Sequence, residues 1–373
     1  MPVLSILPKA ISTDFYYIKG GFPMETIRYT PDCESLHPHA ADVHERLFSE
    51  NGFAAGWAMH AKPVADYWFD FHLHGLPKIG DDLRETVKPD IDAIKHLNVK
   101  RGMLLIQTRS AAGKSAGWTG TPREVLLVED AAAVTKNMVA EGNFTWAVWP
   151  HYTDPGPETI YGAYKAGARG AKIHNAPVIQ DAAPADIWLS KQWQDTFRAM
   201  AECGMPVIWH VTQRLPPSAY TDGGRNSYWE KGWQNGVTYG NEELLQVFLR
   251  CLERNPDVNF VGAHQLHIGW ERLDQLFAGY PNLYVDLTIG CQLREWDTFY
   301  PADKAFLRQI FIKWADRLLY GTDNFWGCGS DERHQLEHMR FIQHLDLPEV
   351  ALNKIAHGNA ERLLKMEAIK ISR

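Results

Sequence analysis

The stretch YWFDFHLHG, residues 67–75, opens the alternation on which the fold reading turns. Its first seven residues, 67–73, are apolar and aromatic apart from Asp70 and His72, as a buried strand should be. Seven runs of the same kind follow: GMLLIQ (102–107), FTWAVW (144–149), RGAKIH (169–174), MPVIWH (205–210), VNFVGA (258–263), NLYVDL (282–287) and RLLYGT (317–322). Helical patterns lie between several of them, namely VLLVEDAAAVTKNMVA, WLSKQWQDTFRAMAEC and NEELLQVFLRCLERN. These carry apolar residues at i, i+3 and i+4 with good helix formers on the other face. Gly204 and Pro206 punctuate one helix-to-strand junction. Eight strands alternating with helical or long connections predict an α/β chain whose parallel strands close into a TIM-type (β/α)8 barrel. A doubly wound open sheet is the rival, and it lacks the glycine fingerprint expected after its first strand.

Composition narrows the function classes. Of the 373 residues, 45% are hydrophobic and 22% charged, the balance of a globular protein with a large core rather than a disordered one. Lys and Arg number 38 against 45 Asp and Glu, for a net charge of −7, and no basic cluster stands out, which argues against a nucleic-acid partner. No apolar run reaches the roughly 18 residues needed to cross a bilayer. The opening MPVLSILPKAIS lacks the basic start of a signal peptide. Five cysteines are scattered without a CxxC pair, so neither a disulfide framework nor a thiolate zinc site is indicated. The expectation is a soluble, cytoplasmic protein with a small-molecule substrate and no membrane partner. Residues 1–66 contain few periodic segments and read as an N-terminal extension; residues 67–373 read as the barrel.

Active residues of such a barrel belong at the C-terminal ends of its strands. His72 and His74 close the first strand, where i and i+2 share a face. His210 ends the fifth, His264 follows the sixth with His267 three residues on, and Asp323 follows the eighth. A lone histidine after an apolar run is usually structural, and a lone Asp is usually a cap. Delivered together by four strand ends, they form a ligand set for zinc, or for manganese or iron.

Lys172, at the end of the fourth strand, has three roles open to it: a salt bridge, a substrate anion, or carboxylation to bridge two metals. His174 shares its face. The connection 211–240 carries Arg214, Arg225, Tyr228, Trp229, Trp233 and Tyr239, a composition suited to a planar or carboxylated substrate and equally to a folded surface loop or an oligomer contact. Trp326, Gly327 and Gly329 are candidates for shaping the mouth. His37 and His39 follow no apolar run, and Pro38 between them disfavours a central strand, so they read as loop. GKSAG at 113–117 lacks the strand and helix of a nucleophile elbow and the upstream glycine of a phosphate loop.

The segments FDFHLHG, GARGAKIHN, PVIWHV, VGAHQLHIGW, YPNLYVDL, LLYGTD and KIAHGNAERLL, in that order, resemble the amidohydrolase superfamily. Within it the chain is similar to the amidohydrolase-related branch that includes aminocarboxymuconate-semialdehyde decarboxylase-like enzymes. The resemblance spans Tyr67 to Met366 and implies a distorted (β/α)8 barrel. It also implies His72, His74, His210 and Asp323 as metal ligands, and His264 as the histidine acting on the catalytic water or the substrate. Lys172 falls where binuclear members carry a carboxylated lysine. QLHI after His264 departs from the usual glycine-rich continuation, and His267 inherits no role. The implied activity is metal-dependent hydrolysis of a small, cyclic or carboxylated substrate, with Asp323 as the proton shuttle. The alternative is non-oxidative decarboxylation of a hydroxylated aromatic or related acid on the same site. A third class, a binding barrel that has lost its site, is disfavoured because every ligand position is filled. A homodimer is a further expectation of the resemblance.

Overall fold

The computed structural model describes residues 65–111, 125–212, 228–288, 304–326 and 335–370, a few positions of the last range excepted. Its strands are β1 (Trp68–Gly75), β2 (Val99–Arg109), β3 (Phe144–Trp149), β4 (Ala168–His174), β5 (Val207–His210), β6 (Phe260–Gly262), β7 (Leu283–Asp286), β8 (Leu318–Leu319) and β9 (Asn324–Trp326). They pair in parallel in the order β9-β1-β2-β3-β4-β5-β6-β7-β8, and a two-residue strand at Leu126–Leu127 joins the end of β2. Each of the eight predicted runs supplies its strand.

The eighth run, expected to be continuous over 317–322, is broken. β8 pairs with β7, whereas β9 pairs with β1, so the two are successive pieces of one strand that closes the barrel. Backbone bonds span the break: Phe71 N–H donates to the Tyr320 carbonyl (3.0 Å) and Asp323 N–H donates to the His72 carbonyl (2.8 Å). Pairing with β7 ends where the Tyr320 N–H donates to the Ile355 carbonyl (3.0 Å). Asp323 adopts φ +61°, a left-handed conformation that no regular strand accommodates and that Asp tolerates better than most residues.

Alternation then sorts the side chains. On β5, Val207 and Trp209 face the surrounding helices and Ile208 faces the barrel interior. On β7, Leu283 and Val285 face outward and Tyr284 inward. The interior is filled by Phe69, Phe71, Met103, Leu105, Ile208, Val261, Tyr284 and Leu319, packed against Ala360, Leu363 and Leu364 of the helix Asn359–Leu364. That helix forms the floor. It is fastened by Glu361, whose Oε1 accepts from both the Tyr67 hydroxyl and the Arg101 guanidinium at 2.5 Å. At about 1.5–3 kcal/mol per large apolar side chain buried, this interior is a main source of stability.

The helices lie where their periodicity predicts. Lys191–Cys203 starts at Ser190, whose hydroxyl accepts from Trp193 N–H, and stops at Gly204 in the left-handed region (φ +64°). Trp193, Phe197 and Met200 are its buried face. Asn241–Arg254 buries Leu244, Leu245, Phe248 and Leu252. Among the described residues, no helix is long and apolar enough to cross a membrane.

Candidate metal centre

The first strand delivers two imidazoles to the C-terminal mouth, and the break in the eighth delivers the carboxylate that meets them. Asp323 Oδ1 lies 2.7 Å from His74 Nε2 and 3.2 Å from His72 Nε2. Its Oδ2 lies 3.9 Å from His264 Nε2. One ligand atom each from His72, His264 and Asp323 fall within 4.8 Å of one another. His72 and His264 are buried, while the Asp323 side chain is 26% exposed and opens the group to the mouth. Lys172, 1% exposed, places Nζ 3.0 Å from His72 Nε2 and 5.9 Å from the Trp149 ring centre. His74 is stacked on Phe325, with ring centres 4.6 Å apart.

A second histidine group lies beside the first and shares His264. After β6 the four residues His264, Gln265, Leu266 and His267 all take positive φ, between 51° and 59°. For non-glycine residues each such conformation costs roughly 1–2 kcal/mol, so the turn exists only because tertiary contacts hold it. Gln265 Nε2 donates to the carbonyls of Asp286 (2.8 Å) and Thr288 (3.1 Å), the Thr212 hydroxyl donates to the Leu266 carbonyl, and Asp286 Oδ1 accepts His264 N–H at 2.9 Å. Leu266 folds back onto Gly262, where a Cβ would sit 2.5 Å from Leu266 Cδ2. The turn brings His267 to His264 (ring centres 5.1 Å) and His210 (5.7 Å), and ligand atoms of these three lie within 4.8 Å of one another. His174 packs on His210 at 4.1 Å, and His174 Nδ1 accepts the Ala176 N–H. Among the described residues, His210 Nε2 is buried without a hydrogen-bond partner, an orphaned nitrogen beside the His174, His264 and His267 rings.

Charge follows from burial and neighbours. Burial holds the His174 and His210 imidazoles well below their usual range, and moves His264 down to about 4, so all three are neutral near pH 7. Burial and Lys172 push His72 down as well, but the Asp286 and Asp323 carboxylates outweigh them and raise it. Burial raises Asp323, yet the charge of His72 and the bonds from His72 and His74 bring it well below the ordinary carboxylate range. Asp286 is lowered by His72 in the same way against the same burial. The neutral imidazoles of His174, His210 and His264, near the ionised carboxylate of Asp323, are donor chemistry that suits a divalent cation, and the His210 Nε2 nitrogen is a donor such an ion would use. Asp286 faces His72 Nδ1 and Asp323 faces Nε2, so for His72 to hold a cation through Nε2 the protonated ring would have to give up its Nε2 hydrogen.

The structure therefore gathers His72, His74, Lys172, His210, His264, His267 and Asp323 at one end of the barrel. The two tryptophans expected at the mouth lie elsewhere. Trp229 is packed in an apolar cluster with Ala176, Ile179, Val237 and Leu244, and Trp326 is fully buried against Phe144 in the layer between strands and helices. A large indole in a helix or strand gains more from such a cluster than from a wet pocket wall. Arg214, Arg225, Gly327 and Gly329 lie outside the described residues. Two residues escaped the sequence reading. Asp286 is the last residue of β7, fully buried, with Oδ2 2.8 Å from His72 Nδ1; its place at a strand end, two positions after inward-facing Tyr284, was the available signal. Asp70 accepts the Thr322 hydroxyl (2.6 Å) and Gln335 amide (2.8 Å) below the site.

Known proteins agree with this architecture. The structure of a dihydroorotase from Campylobacter jejuni superposes with a TM-score of 0.53 at 15% identity, covering 82% of this chain and 85% of that one. An uncharacterized TIM-barrel protein from Bordetella bronchiseptica aligns at a TM-score of 0.49 and 17% identity, over 80% of this chain and 98% of its own. A 5-carboxyvanillate decarboxylase from Sphingomonas paucimobilis aligns at 0.46 and 13%, over 75% and 83%. At these identities the likeness speaks for the fold alone, and the dihydroorotase superposition is the one that carries it. No curated protein matches the chain in sequence. The family model described as Amidohydrolase matches residues 69–366, the whole barrel from the second residue of β1 to the end of its floor, and the chain belongs to that amidohydrolase family.

Proposed function

We propose that the mouth is a hydrolytic site for a small, cyclic or carboxylated substrate, with a zinc ion held by His72, His74, His210 and Asp323. The observation that carries this reading is the convergence of His72, His74 and His264 on the single carboxylate of Asp323. When bound, a divalent cation supplies Lewis acidity to the oxygens that face it. Asp323 stays unprotonated among its imidazole neighbours, so it is the base that takes a proton from the attacking water and returns it to the leaving group. His264, 3.9 Å away through Nε2, orients that water. Lys172 would receive the substrate's negative charge, and in carboxylated form it would be the residue available to help hold a second cation.

The buried Lys172 also favours a second reading, non-oxidative decarboxylation. It would anchor a ring carboxylate in a dry site, the carbon–carbon bond would break with release of CO2, and the ring carbon would take a proton from Asp323 or His264. An assay of lactones, cyclic amides and imides beside hydroxylated aromatic carboxylates separates the two. Ring opening that disappears in Asp323→Asn supports hydrolysis. CO2 release from ring carboxylates, with no cyclic substrate opened, overturns it in favour of decarboxylation.

A further inference from the structure

Asp286 divides its two oxygens between two histidines of the site. Oδ2 lies 2.8 Å from His72 Nδ1. Oδ1 accepts the His264 backbone N–H at 2.9 Å and the Thr288 hydroxyl at 2.6 Å, and the same hydroxyl oxygen lies 2.6 Å from His264 Nδ1. A threonine hydroxyl has one proton to give. With that proton committed to the carboxylate, Thr288 Oγ1 can only accept from the imidazole, so the hydrogen of the second contact resides on His264 Nδ1. His72 is constrained from both sides. Nε2 faces Lys172 Nζ at 3.0 Å and Asp323 Oδ1 at 3.2 Å, whereas Nδ1 faces Asp286 Oδ2 at 2.8 Å, so in the neutral ring the single hydrogen sits on Nδ1, aimed at the closer carboxylate, and Nε2 keeps the lone pair.

We propose that Asp286 is a positioning residue that locks His72 directly, and His264 through Thr288, as Nδ1–H tautomers whose Nε2 lone pairs face the mouth. The consequence is chemical. Both rings enter the site as acceptors, His72 ready to bind a cation and His264 ready to receive a proton. His264 at rest is then no hydrogen-bond donor to an oxyanion, so it works on the water rather than on the developing negative charge. One carboxylate setting two rings also explains why the seventh strand, which sends no ligand to the mouth, ends in a buried acid. A carboxylate or carbonyl behind a ligating histidine raises ligand basicity and fixes ring orientation; here one acid serves two rings. The mechanistic consequence rests on the reading of the mouth as the reaction site. The tautomers themselves do not, since they exist without metal or substrate.

The test is long-range proton–nitrogen correlation NMR on metal-free protein labelled with 15N-histidine, at alkaline pH where the rings are neutral. The His72 and His264 rings are both expected in the Nδ1–H form. Thr288→Val should shift one of them, His264, toward the Nε2–H form and leave the other unchanged; Thr288→Ser should restore it. Asp286→Asn should perturb both and weaken zinc binding by about 10–100-fold. Wild-type spectra with His264 in the Nε2–H form would overturn the proposal without any variant needing to fold, as would a Thr288→Val spectrum identical to wild type. Failure of the hydrolytic reading alone leaves all of these spectra unchanged.

Discussion

His74 Nε2 lies 2.7 Å from Asp323 Oδ1, a contact that ties the end of the first strand to the break in the eighth. The two residues are neighbours only once the barrel has closed, because β9 must seat on β1 for Asp323 to reach the imidazole. Closure and assembly of the donor set are thus one event, and damage to either should be visible in the other.

Asp323→Asn keeps the shape of the side chain and removes its charge. Zinc retained through gel filtration, read by elemental mass spectrometry, should fall from about one equivalent to a trace, while circular dichroism stays that of the wild type. Full retention of zinc by the variant would show that the carboxylate is not part of the binding set.

Chelation of metal-loaded protein should lower thermal stability by several degrees, and added zinc should restore it in proportion to its concentration. Binding to the folded state alone stabilises by about 2.7 kcal/mol at a hundredfold excess over the dissociation constant. Two equivalents bound per chain, with the second lost in Lys172→Met, would assign Lys172 to a bridge; one equivalent in both would leave it to the substrate.

Gly262→Ala should be costly although the residue is small. The new Cβ meets Leu266 at 2.5 Å (Cδ2) and 2.6 Å (Cγ), against a turn that has no slack. A loss of about 1–3 kcal/mol in urea unfolding is expected from overpacking. Pairing it with Leu266→Ala should recover part of that loss, since the second change removes the opposing atoms. Additive losses in the double variant would contradict this geometry.

Asp70 gives a pH dependence of defined sign. Burial pushes its carboxyl up to about 7, above the roughly 3.9 of an unfolded chain, so between those values the folded protein holds a proton that the unfolded chain has released. Its contribution is therefore most favourable below about pH 4 and weakens by up to about 1.4 kcal/mol per pH unit as pH rises toward 7, with no further change above. Asp70→Asn lacks that slope. Unfolding free energies of the two proteins should diverge between pH 5 and 7 in favour of Asn, and parallel curves would refute the shift.

What was legible in the sequence follows from how each feature is encoded. The barrel strands are local patterns, so all eight could be read from runs of apolar residues, and His72, His74, His210 and Asp323 could be placed because strand ends carry them to one face. The left-handed turn at 264–267 has no such local sign. Gln and Leu do not favour positive φ, and the turn is imposed by Thr212, Asp286 and the missing side chain of Gly262, which lie elsewhere in the chain. The eighth run is similar: it reads as continuous over 317–322, yet only Leu318–Leu319 pairs within it, and the left-handed Asp323 just beyond it turns the chain before pairing resumes at β9. Trp229 and Trp326 point the other way: their size and polarity fit a pocket wall in the abstract, and packing decided otherwise.

The helix that floors the barrel comes after every strand it covers. At a synthesis rate of roughly 5–20 residues per second, the ribosome delivers Ala360, Leu363 and Leu364 on the order of tens of seconds after Phe69 and Phe71. Through that interval the interior aromatic residues have no lid beneath them, and water can enter from below. A stop codon placed just before residue 359 would leave a nascent chain with its strands present and its underside wet, a species that chaperones and proteases should recognise long before any chemistry at the opposite end could be assayed.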